Sequence, residues 1–400
     1  MSLASGGVKI QSKQVRRRDL VAGLVFFSAL LVHAGVAHAF ALISNRGKIA
    51  YWNGNSATYK LHSNTSGNFS GGQDASGTVG DEFQPIRNAF NTWVGTGVSL
   101  SITDGGTTNA SPSSSDGVNT VMWVQSNWRN LSFRPPGNAL AVTLLSFDSG
   151  SGRISNADIY FNAETFNWAI VDSGSESGYV DIQNIATHET GHFLGLDHSS
   201  ESIFEENPEL EDATMYYASG PGEVMRRDLN DDDINGITNL YGNGSASQPS
   251  ISSVDTIDSG SGLLSLRISG SNYNEYTHFV IVPGDDDIYD TVGRYMTVNS
   301  SGEVEVDFDV SDFPQERSRA TLYAFNGPTV FSSKSIEVTG GLYAATSSGG
   351  GGGCQLDLQG SSRSLEMGMW IFVLLAALSL TLATRHCVKV PAKKSIKKNF

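Results

Sequence analysis

Residues His188 to Ser199 read HETGHFLGLDHS and gather three of the chain's eight histidines into eleven positions. The run leading into them, SGYVDIQNIATHETGHFLG, predicts a helix, because Ile182, Ile185, Ala186, Phe193 and Leu194 recur at spacings of three and four. Residues four apart on a helix share a face, so His188 and His192 offer two imidazoles to one ion. Glu189 lies beside them but out of line for ligation, where a carboxylate can take a proton from water on a metal. Gly195 lets the chain leave the helix through a conformation costly for other residues. That turn can return His198 as a third ligand. Three protein nitrogens leave one corner of a tetrahedral zinc open, which distinguishes a catalytic site from a closed structural one.

The ungapped order of His188, Glu189, His192, Gly195 and His198 resembles the metzincin pattern H-E-x-x-H-x-x-G-x-x-H. Ser199 after the third histidine, with Gly191, Leu194 and Leu196, resembles the matrixin version. The resemblance implies an α+β metzincin catalytic domain, a twisted sheet with long helices around a zinc cleft, and a peptide or protein substrate. It implies one catalytic Zn2+ on His188, His192 and His198, with Glu189 as general base. It also implies a methionine turn beneath the metal, for which EDATMYYASG supplies Met215. Tyr217 stands where matrixins usually have proline. A tyrosine two places after the methionine resembles the astacin arrangement, so Tyr217 either approaches the reacting oxyanion or walls the specificity pocket. In DDINGITNLYG, the last matrixin-like helix, Asp232 or Asp233 is expected under the turn, accepting backbone hydrogen bonds. The acid-rich insertion between His198 and Met215 is longer than matrixins lead one to expect.

Upstream, KIAYW (Lys48 to Trp52), ATYKLH, VNTVMWV, ALAVTLLSF and RISNADIYFN read as strands, and DEFQPIRNAFNTWVG as an amphipathic helix. The family pattern makes Leu140 to Ser146 the edge that pairs with an extended peptide. Asp148 and Asp158 are candidate calcium ligands or plain loop acids. The sequence gives no sign of animal-type thiol latency, because no cysteine precedes Cys354. His62 is the single histidine between Phe40 and the motif, so a second structural zinc lacks ligands.

The formal charge is −15. Excesses of +4 before Phe40 and +6 after Thr384 leave −25 on the body between them. Such a body repels nucleic acid. Residues 1–39 carry a basic start, an apolar run from Leu20 to Val36 and the small-x-small end Ala37-His38-Ala39, the pattern of a secretory signal peptide. Met367 to Thr384 is uncharged and just long enough to cross a bilayer, and the basic segment 385–400 behind it is expected to stay cytoplasmic. The glycine run, apolar helix and basic tail resemble bacterial C-terminal sorting signals, in which a membrane protease cuts near the glycines. The two cysteines, Cys354 and Cys387, make no disulfide framework.

Between these ends the sequence divides into a matrixin-like domain at 40–245, an all-β region at 246–342 and a Gly/Ser-rich linker at 343–366. The all-β region carries LLSLRIS, THFVIV, RYMTVN, EVEVDFDV, RATLYAF and SKSIEV, and it reads as an immunoglobulin-like sandwich. The expected protein is an exported, surface-anchored or released monomeric zinc endopeptidase. The competing expectation is an adhesin on an inactive metzincin scaffold, against which the intact Glu189 speaks.

Overall fold

The chain enters its fold through three two-residue strands, β1 (Ala41–Leu42), β2 (Ser44–Asn45) and β3 (Lys48–Ile49). Five longer strands follow: β4 (Ser56–His62), β5 (Ser101–Thr108), β6 (Asn119–Val124), β7 (Ala141–Phe147) and β8 (Ile154–Asn162). They form one sheet in the order β5-β4-β6-β8-β7. The first four are mutually parallel, and β7 returns antiparallel to β8 at the edge. In this computed structural model the described residues are 40–69, 81–113, 116–171, 178–201, 207–242, 247–260, 262–284, 290–298, 303–311, 313, 318–339 and 355–356. The segments read as signal peptide, membrane helix and basic tail lie outside them, as do Cys354 and nearly all of the linker. Among the described residues no helix is long and apolar enough to cross a membrane.

Two helices cover one face of the sheet. Helix α1 (Gln84–Val94) starts where the Asp81 carboxylate accepts from the Phe83 and Gln84 amides, and Pro85 occupies its first turn. Its apolar side, Ile86, Ala89, Phe90 and Trp93, is buried against Tyr59 and Phe193. Strands β9 (Trp168–Ala169) and β10 (Val180–Asp181) pair in parallel and lead into α2 (Ile182–Leu194). The helix therefore starts later than the sequence pattern indicates. Asp181 ends the ladder and caps the helix, its Oδ1 accepting from the Asn184 amide at 2.7 Å. Gly195 ends α2 at φ 102°, and a Cβ there would lie 2.3 Å from the Ala50 carbonyl oxygen. No side chain fits both demands. Strand β11 (Leu196–Asp197) then pairs antiparallel with β1. The expected strand over Lys48 to Trp52 shrinks to β3 plus one bridge from Tyr51 to Arg153. The exposed edge strand β5 had no alternating apolar signal, because SITDGGTT buries little.

After the short helix α3 (Pro208–Glu211) come β12 (Ala218–Ser219) and the final helix of this unit, α4 (Asp231–Tyr241). Asn230 caps α4 in a reciprocal box with Asp233.

The C-terminal region is built of β13 (Ser250–Gly260), β14 (Leu263–Ser271), β15 (His278–Pro283), β16 (Thr291–Val298), β17 (Val304–Asp309), β18 (Ser318–Phe325) and β19 (Phe331–Val338). All pairings are antiparallel, in the order β13-β14-β17-β16-β15-β18-β19. Strand β16 joins the two halves by pairing with β15 at its start and with β17 beyond. Leu264, Leu266, Val306 and Phe308 from one half share a core with Phe279, Ile281, Ala320 and Leu322 from the other, so the sheet folds over itself. A last strand, β20 (Gln355–Leu356), pairs in parallel with β12.

The two units are docked. Val280 and Phe325 belong to the core of the first unit rather than their own. Asn239 of α4 donates to the carbonyls of Tyr276 and Phe325. His278 is buried at this junction, stacked on Phe40 with centroids 5.5 Å apart, and its Nε2 has no hydrogen-bond partner among the described residues. Burial holds its imidazole down to about 3. Between the ordinary value near 6.5 and that depressed value, the unfolded chain binds a proton that the folded chain refuses. Stability from this group is thus whole above about pH 6.5 and declines as the pH falls toward 3. Urea midpoints measured from pH 7.5 to 5 should fall more steeply for the parent than for His278→Leu, and parallel slopes would refute this.

Candidate metal centre

His188 and His192 project from successive turns of α2, and the Gly195 turn brings His198 back to meet them. The Nε2 atoms of His192 and His188 are 3.1 Å apart, and those of His192 and His198 3.2 Å. All three rings are buried. Each Nδ1 is occupied: His188 donates to the Thr214 carbonyl at 2.7 Å, His192 to the Leu196 carbonyl at 2.9 Å, and His198 faces Glu201 Oε1 at 3.2 Å. Carbonyl acceptors fix the protonated nitrogen of His188 and His192 as Nδ1, which leaves Nε2 a lone pair. Burial first, and the neighbouring imidazoles second, push His188 well below the usual imidazole range and His192 down to about 3. The unprotonated Nε2 atoms of His188 and His192, facing each other at 3.1 Å, repel unless a cation lies between them. Zinc–nitrogen bonds of about 2.0–2.1 Å in a tetrahedron place nitrogens roughly 3.3 Å apart, which these donors match. Among the described residues this is the one cluster of His, Cys, Asp or Glu that could hold a metal.

The floor of the site is the turn around Met215. Its sulfur lies so close to α2 that a Cβ on Gly191 would be 2.2 Å from Sδ. Gly191 is therefore the gap that lets the thioether lie directly against α2. Asp233 holds this turn: Oδ2 accepts from the Thr214 amide at 2.8 Å and Oδ1 from the Met215 amide at 3.0 Å. Burial pushes its carboxyl up against the opposing effect of these bonds. Asp232 is buried beside it, its amide bonded to the Asn230 cap. Tyr217 follows the turn, with its ring centroid 6.4 Å from that of His198.

Asp148 and Asp158 are not brought together. Asp148 closes the β7–β8 turn through bonds from the Ser151 amide and hydroxyl, which hold its carboxyl low. Asp158 is buried opposite Leu144, four residues down the hairpin or roughly 13 Å away. It accepts from the Thr120 amide, and burial raises it to about 6. The two cannot share one calcium ion.

Several residues that serve the site carry no sequence signal. Thr143 of edge strand β7 donates to Glu189 Oε2 at 2.6 Å and contacts the Glu189 carbonyl at 3.1 Å. Trp52 Nε1 donates to the Phe193 carbonyl and Tyr241 Oη to that of Leu194, satisfying the end of α2. The buried Arg226 donates to the Ala213 and Glu211 carbonyls and pairs with Glu223, bracing the segment before Met215. Arg294, from the C-terminal region, reaches the Ser199 carbonyl at 3.4 Å. Together with the closer His198, it holds the Glu201 carboxyl below its usual range.

Residues 51–242 match the Matrixin family model. The chain carries a matrixin domain. The chain is 37% identical over 107 residues to the Arabidopsis thaliana metalloendoproteinase 1-MMP, covering 24% of this chain and 26% of that protein. Human matrilysin is 37% identical over 116 residues, 29% of this chain and 36% of matrilysin. Drosophila melanogaster matrix metalloproteinase-2 is 36% identical over 110 residues, 28% of this chain and 12% of that protein. The chain thus spans well under half the length of these relatives. The family implies zinc, and the three converging histidines of the matrixin domain are the donor set that fits it.

Gly191→Ala is expected to lower the stability of the matrixin domain by about 1–3 kcal/mol, the usual cost of overpacking. The readout is the denaturant midpoint at unchanged slope, and a midpoint equal to the parent's would contradict the packing described.

Proposed function

We propose that this chain is a zinc-dependent endopeptidase acting on extracellular proteins, with His188, His192 and His198 as metal ligands and Glu189 as general base. The observation that carries it is the convergence of three buried, Nδ1-anchored imidazoles beside a carboxylate that is itself held in place. Zinc bound there supplies a Lewis acid that polarises a peptide carbonyl and makes water a stronger acid. Glu189 takes the proton from the attacking water and delivers it to the leaving amine. Thr143 positions the carboxylate for both transfers by bonding to Oε2. Edge strand β7, which carries Thr143, offers its outer backbone to an extended substrate. Tyr217 walls the specificity pocket or meets the developing oxyanion.

The C-terminal region serves as an immunoglobulin-like sandwich, a reading supported by seven antiparallel strands that fold over one core. Export through the 1–39 signal and anchoring through 367–384 complete the proposal. They are supported by the sequence pattern of the two ends.

Glu189→Gln should retain zinc while kcat/KM on a peptide substrate falls by roughly 10²–10⁴. A fall with loss of metal would instead make Glu189 structural. Thr143→Val removes a hydrogen bond to a charged group, worth about 1.5–3 kcal/mol, and should lower kcat by roughly 10–100-fold with KM little changed. Chelation should abolish hydrolysis and zinc restore it; activity that survives metal removal would exclude the mechanism.

A further inference from the structure

The chain that follows the metal centre is tied back to α2 at two levels. The Thr214 carbonyl accepts from His188 Nδ1, and farther along, Ser219 Oγ accepts from Asn184 Nδ2 at 2.9 Å. Asn184 precedes His188 by one helical turn, so it lies on the same face of α2, about 5.4 Å along the axis. A side pocket between α2 and Tyr216, Tyr217 and Ala218 can therefore open beside His188, but it ends at Asn184. The closing bond is part of a ring. Ser219 Oγ donates to Glu223 Oε2 at 3.0 Å, Glu223 pairs with Arg226, and the Arg226 amide donates to Asn184 Oδ1 at 2.8 Å. Asn184, Ser219 and Arg226 are all buried, and the Arg226 guanidinium lies over the Tyr216 ring. Such a ring resists opening, because breaking one bond strands a polar group away from water. The Asp181 cap uses only the Asn184 backbone amide and does not require these side-chain bonds.

We infer that Asn184 and Ser219 form the floor of a shallow specificity pocket beside the metal centre, which selects peptides with a small side chain, alanine or serine, next to the cleaved bond. This rests on the zinc-endopeptidase reading, in which Tyr217 walls that pocket. The side chains of alanine and serine end well inside one helical turn. A phenylalanine ring with its van der Waals envelope overruns it and meets the floor. The floor cannot yield cheaply, since Asn184, Ser219, Glu223 and Arg226 are bonded to one another in sequence. Selection thus acts by excluding large side chains rather than by gripping small ones.

The test uses the full zinc-loaded chain in detergent with two sets of probes. Quenched fluorescent peptides carry alanine or phenylalanine at each position flanking the cleaved bond in turn, and kcat/KM is read. Peptide hydroxamates carry the same two side chains beside the metal-binding group, and Kd is read by calorimetry. At one flanking position the parent chain is expected to favour alanine over phenylalanine by about tenfold or more in both readouts. Asn184→Ala removes the floor and should shrink that preference to about twofold or less. Ser219→Gly should do the same and replaces Asn184→Ala if the latter does not fold. Equal acceptance of alanine and phenylalanine by the parent would overturn the inference. A preference preserved in a folded floor variant would overturn it too, because the selection would then lie elsewhere. Hydroxamates that discriminate on a chain that hydrolyses nothing would sink the peptidase reading and leave the shallow pocket standing. Hydroxamates that fail to bind at all would remove both.

Discussion

Three imidazole Nε2 atoms are held facing one another in a buried space, and much of the matrixin domain serves to keep them there. Left free, each imidazole would rotate to water or take a proton. Carbonyls of Thr214 and Leu196 prevent both for His188 and His192 by claiming the Nδ1 proton. Each carbonyl must then be fixed in turn. Thr214 is held by Asp233, whose carboxylate accepts from its amide and from that of Met215. Leu196 is held by the β1–β11 ladder. The Asn230–Asp233 capping box, the Gly195 turn and the turn at Thr214–Met215 thus act on the same pair of acceptors.

This hierarchy explains what the sequence made legible. Direct chemistry is local: ligand spacing, the adjacent base and the helix-ending glycine all lie within HETGHFLGLDHS, where helical geometry alone puts them on one face. Met215 and the Asp232–Asp233 pair were accessible only through family resemblance, since a lone methionine or acid pair has many ordinary roles. Thr143, Trp52, Arg226 and Arg294 could not be read at all. Each acts through a carbonyl or carboxylate far away in sequence, and no periodicity marks a threonine on a half-buried strand as the partner of a base. Strand β5 was missed for another reason: an exposed edge strand containing Gly105 and Gly106 has no alternating apolar pattern to detect. Asp148 and Asp158 were grouped because both lie near one turn, but the hairpin register places them well apart.

The docking of the C-terminal region alters how the metal centre is bounded. Phe40 lies between His278 of that region and Gly236 of α4, whose missing Cβ leaves room for the ring. Phe40 leads directly into β1, β1 pairs with β11, and β11 supplies the Leu196 carbonyl that orients His192. On the other side of His198, Arg294 reaches the Ser199 carbonyl. The loop bearing His198 is therefore gripped from two directions by contacts that originate outside the matrixin domain.

That grip has a physical rationale in the length of the loop. Between His198 and Met215 the sequence is long and acid-rich. In this chain one acid of that stretch, Glu201, contacts His198 Nδ1 directly, so its charge bears on that imidazole. The Arg294 guanidinium, supplied from the C-terminal sheet, offsets the local negative charge and reaches the carbonyl of Ser199 next to His198. The C-terminal region thus bears on the histidine cluster through Arg294 on one side and through His278 and Phe40 on the other.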